Sequence, residues 1–434
     1  MLWPVREWLG ALWSFCRLGR PVFLLGGFVL YAVGAAWARH WRGALDGGTY
    51  LWGQATITAA QLMTHYANDY FDLEADRANV TPTRWSGGSR VLVQSALPPR
   101  VALGAALVLG LLALALGLVT AARAPEPALS IAELLAIVGL AWAYSAPPAR
   151  LVGRGAGELA TALVVTVLTP LWAFHLQRSH ADGAFLLTLL VLALLQITML
   201  FAINFPDAAG DRSSGKRTLV VLLGTARAVA ACRLLLLVWG LTLPVLGVTL
   251  QRLGLPWWIA LGPGICAPVA VWQAFSLGAL AHPAPATSVR SAYAGIAFRG
   301  VAMLFVASAA TLGAIVAADW VAGGARSAGR DSQQDMEQAR RLLHERQRSA
   351  REQAAAHEGH QDLRQVDPRA RLAPAASIEG AERAIGDAGV ARQQLRPSVG
   401  QHLGRHEGLA DPVGGQRIQR ERGVAQQHGT GEPS

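Results

Sequence analysis

Apolar runs close to twenty residues long succeed one another between residues 22 and 322, separated by short polar loops. They fall at 22–38, 50–70, 101–122, 128–146, 157–177, 184–205, 228–250, 256–280 and 298–322. A helix of roughly 20 apolar residues crosses the hydrocarbon core of a bilayer. One such run could be a buried helix of a soluble domain. A series of them predicts an all-α bundle of about nine transmembrane helices. Ahead of the first run, Arg6, Glu7, Arg17 and Arg20 alternate with Trp3, Trp8 and Trp13. That mixture predicts an amphipathic helix lying in the membrane interface.

Only 15% of the 434 residues are charged and 52% are hydrophobic, where a soluble domain carries about a quarter charged. Nearly half of the charged residues lie in the last quarter of the chain. Residues 325–434 contain no Phe, Trp, Tyr, Cys, Lys or Asn. Such a segment buries too little apolar surface to offset its ordering entropy. The reading is a membrane domain over 1–324 and a polar, disordered tail over 325–434, with a charged helix at 335–355. His357-Glu358-Gly359-His360 in the tail lacks the spacing of a zinc-binding motif.

The net charge of +10 raises nucleic acid as a partner, but the distribution points to the lipid bilayer instead. Arg6, Arg17 and Arg20 precede the first run. Arg77, Arg84, Arg90 and Arg100 follow the second, Arg150 and Arg154 the fourth, Arg212, Lys216, Arg217 and Arg227 the sixth, and Arg290 the eighth. The intervening loops hold only Arg39, Arg42, Arg123, Arg178 and Arg252. The positive-inside rule then puts the N-terminus and the first set of loops in the cytoplasm, at a bacterial-type plasma membrane, with the C-terminus outside. Cys16, Cys232 and Cys266 have no metal-like spacing and imply no disulfide framework.

Chemistry enters where acids interrupt this apolar pattern. The second run passes straight into Asn68-Asp69-Tyr70-Phe71-Asp72-Leu73-Glu74-Ala75-Asp76. On a continuing helix Asn68, Asp72 and Asp76 share one face, and Asp69 lies one step round. The sixth run ends in Asn204-Phe205-Pro206-Asp207-Ala208-Ala209-Gly210-Asp211, again with two acids four residues apart. Stacked carboxylates repel unless a cation sits among them. Two such clusters at one membrane depth can face each other across a central cavity. Hard oxygen donors at this spacing suit Mg²⁺, which keeps waters and binds phosphate oxygens.

Basic residues follow each cluster. Lys216, the one lysine of the chain, and Arg217 stand just beyond Asp211, placed either to hold a diphosphate or to anchor the loop at the membrane. Arg84 and Arg90 flank Gly87-Gly88 after the first cluster, and paired glycines let backbone approach an anion. Tyr144 precedes Pro147-Pro148, which end the fourth run. Its ring could meet a developing cation, or it is a member of the aromatic belt. Arg150 and Arg154 engage an acceptor carboxylate or anchor their loop. A cation-coupled transporter would also gather acids, but near the bilayer midplane. Here they lie at one membrane face beside Lys and Arg.

Asn68-Asp69-x-x-Asp72-x-x-x-Asp76, Asp207-x-x-x-Asp211 and Gly215-Lys216-Arg217-Thr218-Leu219 together resemble the UbiA-type intramembrane prenyltransferases. Tyr144-Ser145-Ala146-Pro147-Pro148, Arg154-Gly155-x-Gly157-Glu158 and Arg20-Pro21 add to the resemblance. It covers about residues 17–322 and is nearest the 1,4-dihydroxy-2-naphthoate prenyltransferases of menaquinone synthesis. The resemblance implies a helical bundle with two Asp-rich motifs over a cavity, and Mg²⁺ held by Asn68, Asp72, Asp76, Asp207 and Asp211. It implies transfer of a prenyl group from a polyprenyl diphosphate to an aromatic acceptor. Acceptors used by relatives include 4-hydroxybenzoate, homogentisate, tetrapyrroles and carotenoids. Asn68, Asn204, Arg84, Arg90, Arg150, Arg154, Lys216 and Arg217 would contact substrate, and Asp69, Asp72, Asp207, Tyr144 and Lys216 would serve the chemistry. A general base is Asp69, Glu74 or none. The chain departs from the family in Asn204-Phe205-Pro206-Asp207, where Asn-Asn-x-x-Asp is commoner, and in having no Lys after the first motif.

Overall fold

The computed structural model describes residues 5–42, 44–280 and 286–362. In chain order its α-helices are α1 (Val5–Leu18), α2 (Pro21–Arg42), α3 (Gly47–Phe71), α4 (Leu73–Ala78), α5 (Pro99–Ala121), α6 (Pro127–Ser145), α7 (Gly157–Ala162) and α8 (Thr169–His175). They continue with α9 (Gly183–Asn204), α10 (Ala208–Ser213), α11 (Leu219–Leu223), α12 (Thr225–Arg252), α13 (Leu261–Gly264), α14 (Ala267–Ser276) and α15 (Ala286–Asp362). The described residues form no named strand, and the architecture is the expected all-α bundle.

Eight helical segments among the described residues are long and apolar enough to cross a membrane. They coincide with eight of the nine expected runs. The ninth, α3, is equally long but carries Gln54, Gln61, Thr64, His65, Asn68 and Asp69. Its polarity has a purpose, because it is the helix that brings the first acidic motif to the site. Large apolar side chains face outward all round the bundle, among them Leu111 and Phe275. A soluble monomer does not expose so much apolar surface.

Local sequence sets the helix ends. Asp46 and Asp182 cap α3 and α9, their carboxylates accepting from the Thr49 and Phe185 amides at 2.5 and 2.9 Å. Proline occupies the first turn of α5 and α6, where no amide donor is needed. A π-helical turn over Leu163–Leu168 joins α7 to α8, and Pro170, which cannot donate, comes just after it. Thr169 Oγ1 donates at 2.9 Å to the Val164 carbonyl, which also accepts from the Thr169 amide.

Packing is led by small residues. Ala102, Ala106, Gly110, Ala113 and Gly117 make one buried stripe on α5. The stripe lets the α5 backbone approach close to α3, in the manner of small-residue contacts between membrane helices. At the end of the bundle away from the acidic motifs, polar pairs tie helices together. Trp37 Nε1 donates to Asp182 at 2.7 Å, Arg39 pairs with Asp319 at 2.8 Å, and His175 meets Glu133 at 2.8 Å. On α1, Trp8, Leu9, Leu12 and Trp13 are all exposed, as an interfacial helix requires.

The chain divides into two units, 1–339 and 340–434. Helix continues from 325 to Asp362, well beyond the expected 335–355. Gln, Ala, Glu and Arg are good helix formers, and no proline interrupts them before Pro368. In the second unit Arg348 pairs with Glu352 one turn on, at 3.0 Å. The disorder expected for the tail beyond Asp362 lies outside the described residues.

Candidate active site

Asp72 closes α3, yet the turn spacing carries through it. The Asp72 amide bonds to the Asn68 carbonyl and the Asp76 amide to the Asp72 carbonyl, each at 2.9 Å. Asn68, Asp72 and Asp76 therefore keep one face, as the spacing predicts. In the second motif the Asp211 amide bonds to the Asp207 carbonyl at 2.9 Å. The two motifs meet where α4 packs on α10. Gly210 permits that approach: a Cβ there would sit 2.9 Å from Asn79 Cα.

Lys216 stands between the motifs. Its ammonium is 2.7 Å from Asp72 Oδ2 and 3.5 Å from Asp211 Oδ1. Asn68 Nδ2 donates to the same Asp72 oxygen at 2.8 Å and to Ser145 Oγ at 3.1 Å. The other oxygens, Asp72 Oδ1 and Asp211 Oδ2, are buried without a hydrogen-bond partner. Burial pulls against the Lys216 charge, but Asp72 and Asp211 outweigh it and hold its pKa above the ordinary value. Burial, reinforced by neighbouring carboxylates and opposed by Lys216, pushes Asp76 and Asp211 each up to about 7. Burial raises Asp207 as well. The site thus holds more acid than its own cations neutralise.

Asp207 is held from the first motif's loop. Asn79 Nδ2 donates to its Oδ1 at 2.7 Å and the Gly87 amide to its Oδ2 at 3.0 Å. The paired glycines do admit an anion, and in this structure that anion is Asp207. Gly88, at φ +74°, leaves room for the Asp76 carboxylate, which a Cβ would strike. Asp69 has partners other than Lys216. It pairs with Arg20 and accepts from the Ser89 hydroxyl and amide. Glu74 is exposed.

The remaining expected residues lie in several different settings. Tyr144 and Asn68 line a cavity of about 220 Å³, together with Arg20, Phe23, His65 and Trp85. Arg90 donates to the Asp76 carbonyl, and Asn204 Nδ2 donates to Glu158 at 3.0 Å. Arg84, Arg154 and Arg217 are exposed. Arg84 lies 5.6 Å above the Trp85 ring, Arg154 donates to the Pro148 carbonyl at 2.6 Å, and the Arg217 amide bonds the Gly153 carbonyl at 3.2 Å. Arg150, at φ 42°, buries an Nε without a partner.

The sequence reading missed Asn79 and Ser89 as contacts of this site, and Arg20 and Glu158 entered it only as parts of motifs. It also missed three polar residues of the cavity wall. Gln61, Gln196 and Ser308 come from three helices, line the cavity, and bury a polar atom with no partner. Their one sequence signal is a polar residue inside an apolar run. Among the described residues no three His, Cys, Asp or Glu form a ready-made metal cage. Mg²⁺ does not need one, since it commonly takes one or two carboxylates and completes its shell with water and phosphate oxygens.

The UbiA prenyltransferase family matches residues 24–294, over half of the chain, and the chain belongs to that family. It is an integral membrane protein. No curated protein matches it. Among solved structures, a UbiA homologue from Archaeoglobus fulgidus bound to GPP and Mg²⁺ is 17% identical with a TM-score of 0.48, covering 68% of this chain and 99% of its own. A UbiA homologue from Aeropyrum pernix K1, in its apo form, is 17% identical with a TM-score of 0.47, over 69% and 98%. A structure of digeranylgeranylglyceryl phosphate synthase is 16% identical with a TM-score of 0.46, over 70% and 99%.

Proposed function

We propose that this protein transfers a prenyl group from a polyprenyl diphosphate to an aromatic acceptor, with Mg²⁺ at the two acidic motifs. The acceptor proposed is 1,4-dihydroxy-2-naphthoate, which makes the reaction a step of menaquinone synthesis. The observation that carries the reading is the pairing of Asp72 and Asp211 across Lys216, each with one buried oxygen free. Such unpaired oxygens, with Asp76 and Asp211 pushed up to about 7 by burial, mark a site made for additional positive charge.

Asp72, Asp76, Asp207 and Asp211 would hold Mg²⁺, with Asn68 beside them. When bound, the metal would neutralise charge on the departing diphosphate. Lys216 would turn from carboxylate to phosphate and stabilise the same charge. The cavity below carries mostly apolar walls, which keep water from an allylic cation until a carbon nucleophile captures it. The Tyr144 ring lines that cavity and offers its face to the cation. Asp69 already accepts from Arg20 and Ser89, so we assign it to orienting Arg20. An electron-rich naphthol needs little further activation by a base. Val22 of α2 and Phe305 of α15 line the cavity yet remain partly exposed. Between them a polyprenyl tail would enter from the lipid. The basic loops support a cytoplasmic side for this mouth.

The test is prenyl transfer in membranes containing the protein, with labelled polyprenyl diphosphate, Mg²⁺ and a panel led by dihydroxynaphthoate and 4-hydroxybenzoate. Asp72→Ala and Asp207→Ala should each lower the rate by about 10²-fold or more. Product with 4-hydroxybenzoate alone would overturn the menaquinone assignment. No product with any acceptor, from folded protein, would sink the reading.

A further inference from the structure

Glu158 is buried at the start of α7, 2% exposed, and does not line the cavity. One of its oxygens, Oε1, accepts two hydrogen bonds. Asn204 Nδ2 donates from the end of α9 at 3.0 Å, and the Leu219 amide donates from the start of α11 at 2.8 Å. Between Asn204 and Leu219 runs the segment 205–218, which carries Asp207, Asp211, Lys216 and Arg217. A single carboxylate oxygen therefore holds both ends of the second motif.

We propose that Glu158 is the positioning residue of the diphosphate half-site, clamping the segment 205–218 so that Asp207, Asp211 and Lys216 face the first motif. This rests on the function proposed above. The middle of the segment depends on its ends. Beyond the Lys216 amide bond to the Asp211 carbonyl (2.8 Å), the contacts of Asp207 with Asn79 and Gly87, and the bond from Thr81 Oγ1 to the Pro206 carbonyl (2.7 Å), one backbone-to-backbone tie leads outward. It runs from the Arg217 amide to the Gly153 carbonyl, near the start of α7, at 3.2 Å. Both outer ties therefore converge on the segment that leads into α7. Gly215, at φ +75°, gives the stretch of backbone before Lys216 a turn that tolerates loosening. Without the clamp, Lys216 would lose its fixed distance to Asp72, and the half-site would have to be reordered by each substrate molecule. That cost falls on binding.

The role needs an acceptor oxygen, not a charge, a proton or a metal ligand. Glu158→Gln keeps an oxygen in place and Glu158→Ala removes it. Two measurements are paired on membranes containing the full chain. The first is tryptic cleavage after Arg212, Lys216 and Arg217, followed by mass spectrometry. The second is the KM for polyprenyl diphosphate against kcat. In Glu158→Ala, cleavage at these sites should quicken about tenfold and KM rise about tenfold, the scale of two lost hydrogen bonds, while kcat changes less. Glu158→Gln should match wild type in both. If Glu158→Ala does not fold, Asn204→Ala, which keeps the Leu219 bond, should show a partial effect in the same direction. A Gln variant as impaired as the Ala variant would overturn the clamp in favour of a charge-dependent role. Unchanged cleavage in the Ala variant would also overturn it. Absence of prenyl transfer in wild type would instead fail the proposed function, and the cleavage pattern would still decide the clamp.

Discussion

Lys216 is a lone ammonium among buried acids, and its neighbours are matched to it as a provisional cation. Removing one partner of a buried charge pair typically costs about 3–5 kcal/mol, because the other is left uncompensated. Lys216→Met should therefore lower the melting temperature in EDTA. Mg²⁺ should raise the melting temperature of the variant more than that of wild type. Equal Mg²⁺ shifts in the two proteins would contradict a shared site. Protons compete for the same oxygens. Asp76 and Asp211 are pushed up to about 7 by burial, against about 4 when unfolded. For an acid with a raised folded pKa, the folded state binds more protons. Metal-free stability should then fall as pH rises from about 4 to about 7 and level off above. Mg²⁺ affinity should run the other way, strengthening from about pH 6 to about pH 8 as the carboxyls lose their protons. Melting curves at several pH values, with EDTA and with Mg²⁺, read both slopes.

At the scale of elements, the motif-bearing helices were legible because their spacing follows the helix itself. Asn68, Asp72 and Asp76 read as one face from sequence, and the backbone carries that face through the bend at Asp72. All nine expected runs are helical; the first eight have ends displaced by a few residues, and the last lies inside the much longer α15. What the sequence hid were contacts between segments far apart in the chain. Asn79 to Asp207 and Glu158 to Leu219 leave no periodic trace, since each partner alone is an ordinary loop or helix-end residue. Arg84 shows a contact that spacing does not reveal. Its place beside Gly87-Gly88 suggested an anion contact, but its guanidinium lies over Trp85. The glycine pair itself is more demanding than the arginines around it. Gly88 combines φ +74° with a carboxylate where a Cβ would stand. Gly88→Ala should displace Asp76 and weaken the Gly87 bond to Asp207, lowering prenyl transfer about tenfold or more, since misplacement alone can cost that much. Overall stability should fall less, because no core residue is touched. Activity assays beside melting curves separate the two effects, and unchanged activity would remove Gly88 from the site's architecture.

For the whole molecule, function and charge are divided between different stretches of chain. Every residue assigned to the site lies between Arg20 and Ser308, inside the unit 1–339. The helices long and apolar enough to cross a membrane also lie there. Past residue 339 the sequence is polar throughout, with Arg, Gln, Glu and Ala in place of the apolar runs. A bundle whose core, cavity and paired motifs are complete before residue 340 has its own means of folding. Compact units with their own core fold and function separately as a rule. A chain ending at Ala339 should therefore insert into membranes and melt near the full-length temperature. It should transfer prenyl groups within about twofold of the full rate. Detergent extraction, melting and the acceptor panel would be compared for the two lengths. A truncated protein that folds but loses activity would show that the polar segment reaches the site, and the division of function between the two stretches would be wrong.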